Sequence, residues 1–357
     1  MATEVGRVLV AMSGGVDSSV AAALLRERGH DLVGVTFHLW DAAGSQKVGR
    51  CCAPEDREDA RRTCDHLGIP HYVIDEREAF ARTVVQPFVE AYAEGRTPSP
   101  CVQCNQHVKL QRLLEVADDL GATHLATGHY ARLRRSADGV RLLRGVDRAK
   151  DQSYFLYGVS QAVLSRMLLP LGGLAKGQTR EQGRRLAVPN WDKPDSQELC
   201  FVPDGDIGAF LEARGVPGAA GPVVDQSGAV LGTHSGSQRF TVGQRRGLRL
   251  GGQDAPRYVL RVVPERNEVV VGTASSLYAS TARAVDARWT TRPPDGAFRG
   301  EVQVRYRHRP APGRVRPGAG SSTFEVAFDE PQRAIAPGQA AVVYRGEEVI
   351  GGGRIAA

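Results

Sequence analysis

No apolar run in this 357-residue sequence approaches the ~18 residues that a bilayer-spanning helix needs, which excludes that class of membrane protein. The first residues also lack a charged region followed by an apolar stretch and a small-residue cleavage site, and Glu4 argues against an acid-poor transit peptide. The expectation is a soluble, cytoplasmic chain with no membrane partner. Cysteine is scarce and unevenly placed: six residues fall between Cys51 and Cys200, and none follows. This is not the dense framework of a small secreted domain, and it suits a reducing compartment in which thiols stay available for chemistry. Internal repeats and long low-complexity linkers are absent as well. The hydrophobic fraction of 41% can fill ordinary cores, and the length suits two or three domains of roughly 100 to 200 residues each.

Basic residues exceed acidic ones by 46 to 40, a formal charge of +6 that permits a polyanionic partner without requiring one. Their placement says more. Arg239, Arg245, Arg246 and Arg249 fall close together, and Arg305, Arg307, Arg309, Arg314 and Arg316 form a second group with His308. A single arginine is best read as part of a solvated face, but two such groups in one C-terminal region make a nucleic-acid surface an equal reading.

Along the chain, Arg7 to Met12 reads as a strand, Ser13 to Asp17 as a loop, and Ser18 to Arg28 as a helix that Gly29 is placed to end. Leu32 to Leu39 gives the next strand, and a helix between two apolar strands is the mark of a right-handed crossover in a parallel sheet. A helix from about Glu55 to Leu67, a breaker at Gly68 to Pro70 and a strand at Tyr72 to Ile74 continue the rhythm of a doubly wound α/β sheet. Further helices are expected around Phe80 to Tyr92 and Val108 to Leu120, then a strand at His124 to Thr127 ending on Gly128-His129. Past about residue 204, frequent Gly and Pro with short alternating segments favour β-structure. Tyr258 to Val263 and Val269 to Val271 read as a hairpin through Pro264 to Asn267. Glu301 to Tyr306, Thr323 to Phe328 and Ala340 to Tyr344 read as strands of a further sheet or barrel. The expected domains are 1–203, 204–278 and 279–357.

Ser13-Gly14-Gly15-Val16-Asp17-Ser18-Ser19 lies where a strand runs into a helix. Small residues there let backbone N–H groups approach an anion, and the helix presents its unpaired amides and positive dipole end. No lysine sits at Walker A spacing and the glycines do not form G-x-G-x-x-G, so kinase-type transfer is disfavoured. The alternative is a plain Gly turn with Ser18 as a cap, but the strand-helix-strand context favours the phosphate loop. The segment resembles the Ser-Gly-Gly-x-Asp-Ser pyrophosphatase loop of the adenine-nucleotide α-hydrolase-like (PP-loop) superfamily, whose members make adenylates and release pyrophosphate.

Cys101-Val102-Gln103-Cys104-Asn105 follows the turn-rich Thr97-Pro98-Ser99-Pro100 and precedes a helix, which places its thiols on a loop near a helix N-terminus, where thiolates form more readily. A lone C-x-x-C is ambiguous between a redox pair, half a zinc site and half an iron-sulfur site. Cys200 stands in Asp195-Ser196-Gln197-Glu198-Leu199-Cys200-Phe201 and by itself reads as a buried core thiol. Cys51, Cys52 and Cys64 read as structural, Cys64 on the apolar side of its helix with Ala60 and Leu67.

Taken with Ala11 to Val20, Cys51 to Asp56, Cys104-Asn105, Gly128 to Arg132, Lys150 to Leu156, Asp195 to Phe201, His234 to Leu248, Pro337-Gly338-Gln339 and Gly351 to Gly353, the sequence resembles the tRNA-specific 2-thiouridylases over nearly its whole length. The resemblance implies ATP-dependent adenylation of the C2 oxygen of wobble uridine 34 in tRNAs for Lys, Glu and Gln, with Mg2+, followed by displacement of AMP by sulfur. It implies that Cys200 carries a persulfide and that Cys104 attacks it, leaving a Cys104–Cys200 disulfide for reduction. A cysteine desulfurase or relay protein would supply the sulfur. Ala11, Met12, Ser13, Gly14, Gly15, Val16, Asp17, Ser18, Phe37 and Gly128 match nucleotide contacts. Ser99, Pro100 and Cys101 match the loop at the target base, and His129, Lys150, Asp151, Gln152, Arg305, Tyr306 and Gln339 match tRNA contacts.

Several family members carry aspartate where this chain has Cys101, a candidate acid-base group. Two readings follow: Cys101 is a bystander or resolving thiol beside the disulfide relay, or Cys101, Cys104 and Cys200 hold a 4Fe-4S cluster with one iron open to sulfide. Other functions compete. A synthetase with the same loop, adenylating a small-molecule acceptor, would need neither paired thiols nor a basic β-domain. A cluster-bearing RNA-binding module would leave the phosphate loop without a purpose.

Overall fold

Val8–Ala11 (β1) is apolar at every position because both faces of the strand are covered, and Val8, Leu9 and Val10 are fully buried. The computed structural model describes residues 6–41, 54–195, 199–202, 205–252 and 255–356. Backbone packing divides the chain into two units: Met1–Val84, Cys101–Gly205 and Glu347–Val349 form the first, and Val85–Pro100, Asp206–Gly346 and Ile350–Ala357 the second.

In the first unit β1 is joined by Leu32–His38 (β2), His71–Asp75 (β3) and His124–Ala126 (β4). A hairpin follows, Ala131–Ser136 (β5) and Gly139–Arg144 (β6), and then the short Met167–Leu168 (β7). The sheet order is β3-β2-β1-β4-β7, with every pair parallel. Val16–Glu27 (α1) connects β1 to β2, and Pro54–Leu67 (α2) connects β2 to β3. α1 buries Val20 through Leu25 without a break, so it is enclosed on more than one side. Ala22 and Leu25 pack with Val8, Val10, Ala60 and Cys64, whereas Val20, Ala21 and Leu24 pack with Tyr130, Leu171 and Val188. The doubly wound parallel sheet expected from the sequence is therefore present.

Three local readings need correction. α1 begins at Val16 rather than Ser18, because Gly15 takes the extended cap conformation and lets the next residues turn at once. The helix expected from Val108 begins at Pro100: Pro100–Cys104 is α-helical, Asn105–Lys109 forms a wide π-turn, and Leu110–Asp119 completes the run. Proline at a first helical position costs no hydrogen bond and presets φ, so the Pro-rich stretch that reads as a turn is a helix start. A π-turn also interrupts the helix expected around residues 80–92, at Ala81–Val85.

The second unit opens with a sheet of Gly221–Val224 (β8), Val230–His234 (β9), Tyr258–Val263 (β10) and Glu268–Gly272 (β11), in the order β10-β11-β8-β9. β10 and β11 form the expected antiparallel hairpin. Val223, Phe240, Leu248, Val259, Val269 and Val271 fill its core. Tyr278–Trp289 (β12), Phe298–Gln303 (β13), Ala311–Pro317 (β14), Thr323–Arg333 (β15), Ala340–Arg345 (β16) and Glu348–Ile355 (β17) follow in the order β12-β15-β14-β13-β16-β17. β12 also pairs with β17, which closes a six-stranded barrel around Val302, Val315, Phe324, Val326 and Val343. Closure removes the open edges that such a sheet would otherwise expose. Arg305 and Tyr306, expected on a strand, lie beyond the end of β13 in a turn where the His308 amide donates to the Arg305 carbonyl at 3.0 Å.

Candidate active site

β1 is flanked by β2 on one side and β4 on the other, so the strand order reverses beside β1, and the carboxyl ends of β1 and β4 open the crevice that doubly wound sheets use for ligands. Met12 to Gly15 leaves β1 at that point and Thr127 to His129 leaves β4. Gly14 has φ +70°, and a Cβ there would fall 1.9 Å from the Asp56 carbonyl oxygen of α2, so the loop fits only glycine. Gly128 lies against the start of α1, where a Cβ would approach the Ser18 nitrogen at 2.7 Å. Gly15 caps α1 with no side-chain acceptor, which leaves first-turn amides for an anion. The Ser18 hydroxyl donates to the Gly15 carbonyl at 3.0 Å, lies 3.1 Å from the Ser13 hydroxyl, and accepts from the Ser13 amide. Ala11, Met12 and Val16 supply the loop's backbone, Met12 and Val16 with buried side chains, and Phe37 is buried near the end of β2.

Around this loop lies a set of lysines and carboxylates, of which sequence reasoning singled out Asp17 as a nucleotide contact and Lys150 as a tRNA contact but not Lys176, Lys193 or Asp59. Lys176 Nζ sits 2.8 Å from Asp17 Oδ1 and 2.7 Å from Asp195 Oδ1. Lys150 reaches Asp195 Oδ2 at 2.7 Å, and Arg180 reaches Oδ1 at 3.2 Å. Burial alone would raise the Asp195 pKa, but hydrogen bonds from Lys150 and Lys176 outweigh it and hold the carboxyl below the usual range. On the other flank Lys193 Nζ contacts the Gly14 carbonyl at 3.1 Å and Asp59 Oδ2 at 2.6 Å, and also pairs with Asp56. Burial lowers Lys193, yet Asp56 and Asp59 raise it on balance, so it stays charged. Asn190 donates to the Gly14 carbonyl at 2.9 Å, and the Tyr130 hydroxyl donates to Asp17 at 2.8 Å. A readable signal existed: the chain has five lysines among 46 basic residues, and Lys150, Lys176 and Lys193 are three of them.

Cys101 and Cys104 stand one helical turn apart at the start of the 100–119 run, Cys101 exposed and Cys104 buried. The corrected helix start puts both thiols inside the first turns rather than on a loop. Cys200 is half-buried in a turn closed by the Val202 amide donating to the Leu199 carbonyl at 3.2 Å. Phe201 is buried edge-on against Phe80, centroids 5.7 Å apart, and Asp195 anchors the other end of the segment in the lysine set. Cys64 is fully buried and its thiol is pushed up to about 12, first by desolvation, which fits the structural reading. Cys51 and Cys52 lie outside the described residues, as do residues 196–198. Among the described residues no group of three or more His, Cys, Asp or Glu side chains is placed to hold a metal ion. Cys101, Cys104 and Cys200 are accordingly not grouped as a metal-holding set in this structure.

Several positions matched to tRNA contacts have side chains engaged within the protein. Asp151 accepts from the Gly145 and Ser153 amides at 3.0 and 3.1 Å, and Gln152 accepts from the Tyr130 amide at 3.0 Å. His129 Nδ1 lies 2.8 Å from the Thr127 hydroxyl, and desolvation, followed by the charge of Lys109, pushes its pKa down to about 4. In the second unit Gln339 donates to the Thr97 and Pro98 carbonyls at 2.9 and 3.2 Å, beside Ser99 and Pro100. The arginine groups divide. Arg239 pairs with Glu212 at 2.6 Å, whereas Arg245, Arg249 and Arg257 line a cavity of about 440 Å³ with Leu248 and Leu250. Arg314 and Arg316 alternate on the exposed side of β14, and the Arg307 guanidinium lies 5.6 Å from the Tyr306 ring centroid.

The fold and loop define a nucleotide-binding α/β domain followed by β-barrel domains. Family models match in that order: a tRNA methyl transferase HUP domain over residues 6–204, a tRNA methyl transferase PRC-barrel domain over 208–273, and an aminomethyltransferase β-barrel domain over 279–355. The chain is 48% identical to the tRNA-specific 2-thiouridylase MnmA of Sorangium cellulosum over 98% of its own length and 92% of that protein. It is 49% identical to the MnmA of Carboxydothermus hydrogenoformans, covering 98% and 97%. The chain belongs to the tRNA-specific 2-thiouridylase family. Among solved structures, a 4-thiouridine synthetase–RNA complex with bound ATP aligns over 58% of this chain and 50% of that one, at 16% identity and a TM-score of 0.37.

Proposed function

We propose that this protein thiolates C2 of wobble uridine 34 in tRNAs for Lys, Glu and Gln. The uridine C2 oxygen attacks the α-phosphorus of MgATP, pyrophosphate leaves, and the resulting O-adenylate turns a poor leaving group into AMP. Mg2+ travels with ATP as substrate. The first-turn amides of α1, the hydroxyls of Ser13 and Ser18, and Lys176 and Lys193 neutralise the charge that gathers on departing pyrophosphate. Phe37 and Gly128 would bound the adenosine. The Cys104 thiolate attacks the inner sulfur of a Cys200 persulfide, forming the Cys104–Cys200 disulfide and expelling hydrosulfide. Hydrosulfide adds to C2, AMP departs, and loss of its proton leaves the thiocarbonyl. A persulfide donor reloads Cys200 after a thiol reductant has supplied two electrons to the disulfide.

The observation that carries this reading is Lys176, which bridges Asp17 of the phosphate loop and Asp195 of the Cys200 segment. It brings the phosphate loop to Asp195, which precedes Cys200 in the chain, and this supports adenylation followed by sulfur attack within one unit. Methyl transfer, the reaction in the family models' descriptions, would use neither feature. Residues 1–203 would perform the chemistry, and 204–278 and 279–357 would grip the RNA. There Arg245 and Arg249 face phosphates, and Arg305 and Tyr306 offer a cation and a stacking ring. Ser99, Pro100 and Cys101 would meet the target base, which must leave the anticodon stack to reach the adenylate. His129 and Lys150 would border it, with Asp151 and Gln152 shaping the backbone there.

Pyrophosphate release from ATP tests the proposal. Release should require a tRNA bearing U34. Dependence on a small acceptor instead would favour the synthetase, and no release under any condition would favour a binding module.

A further inference from the structure

The turn Pro337-Gly338-Gln339 is stapled into the barrel: the Gly338 amide donates to the Ile355 carbonyl at 2.9 Å, and the Ile355 amide donates to the Gln339 carbonyl at 2.8 Å. From this fixed base it grips the segment Thr97 to Ser99. The Thr97 amide donates to the Pro337 carbonyl at 2.8 Å, and the Gln339 Nε2 donates to the carbonyls of Thr97 and Pro98. The Ala340 amide reaches the Ser99 hydroxyl at 3.4 Å. Gly338, at φ +92°, lies so close that a Cβ would stand 2.9 Å from the Thr97 carbonyl oxygen. Pro98 and Pro100 have no amide to donate, so the four residues Thr97 to Pro100 depend on outside partners to fix their path. The next residues are Cys101 and Cys104.

We infer that Gln339 is a positioning residue for sulfur transfer: its amide holds Thr97 and Pro98 and so sets the start of the helix that carries Cys101 and Cys104. This rests on the assignment of Cys104 as the attacking thiol. The geometry gives the Gln339 amide a task within the protein, donating to two adjacent carbonyls. A glutamine suits the task because one NH2 group can serve two adjacent carbonyls. Glutamate at the same place has the size but no donor, and would set a carboxylate against two carbonyl oxygens.

The test uses the full chain with Gln339→Ala and Gln339→Glu. Amide hydrogen exchange should rise about ten-fold or more at Thr97 and Cys101–Cys104, while β16 stays protected as the control for folding. The single-turnover rate of thiolation at saturating tRNA should fall at least ten-fold, Glu no better than Ala, with tRNA affinity changed less than about three-fold. Unchanged exchange at 97–104 would overturn the clamp. Weakened tRNA affinity with an unchanged saturating rate would make Gln339 an RNA contact and overturn the inference. Cys104→Ser separates the two claims: if it remains active, the thiol assignment fails whatever the exchange data show, and if it is inactive while Gln339→Ala turns over normally, the positioning role fails.

Discussion

Lysine is the residue that marks this site. In a chain that otherwise uses arginine for positive charge, Lys150, Lys176 and Lys193 meet Asp195, Asp17, Asp56 and Asp59 around one loop. An ammonium is a compact charge with rotatable donors, able to leave a carboxylate for a phosphate, which a guanidinium fork does less readily. The lysines' place around the loop was not legible from spacing, because they come from segments over 100 residues away from it. His129 carries a prediction at the same scale. Its folded pKa of about 4 lies below the ~6.5 of a free imidazole, so between these values the unfolded chain binds the extra proton. This contribution to stability is present above pH ~6.5 and is lost as pH falls toward 4. The imidazole should titrate near 4 by NMR, and His129→Gln should flatten the fall in unfolding free energy over that window. Titration near 6.5 would contradict this.

Among the elements, the strands and helices of the parallel sheet were readable because their apolar runs are long and their breakers are glycines and prolines. Gly29, for instance, takes φ +84° just past the end of α1. Two things were less legible. The helix carrying Cys101 and Cys104 begins within a stretch whose prolines read as turn residues, since Pro100 can open a helix as well as a turn. In the β5–β6 hairpin, β5 alternates only over Ala131 to Arg134 before it turns wholly polar, too short a pattern to announce a strand. The phosphate loop itself was legible from its glycines, and the structure adds why Gly14 cannot change. Gly14→Ala forces a left-handed conformation and pushes a methyl into the Asp56 carbonyl. That variant should lose more than ten-fold in pyrophosphate release and melt at least a few degrees lower. Retention of both properties would show that the loop and α2 are not packed as described.

For the whole molecule, the β-rich C-terminal portion was visible from Gly, Pro and short alternating segments, but barrel closure was not, because the β12–β17 pairing joins residues over 60 positions apart. The charge surface was legible only in outline. Arg239 turned out to be engaged with Asp206 and Glu212, while Arg245 and Arg249 line a cavity with Arg257. Binding of tRNA should weaken linearly on a log-log plot against salt, and the double variant Arg245→Glu, Arg249→Glu should flatten the slope by about two. An unchanged slope would remove this face from the RNA interface. The central claim is that ATP is spent to activate a tRNA base, and that sulfur from Cys200, released by Cys104, displaces AMP. It is tested most directly by thiolation of unmodified U34-bearing tRNA with a persulfide donor, measuring AMP and 2-thiouridine together. The account predicts one AMP for each 2-thiouridine, no 2-thiouridine from Cys104→Ser or Cys200→Ser, and substantial activity from Cys101→Ser. Equal loss in all three variants, or 2-thiouridine formed without AMP, would contradict it.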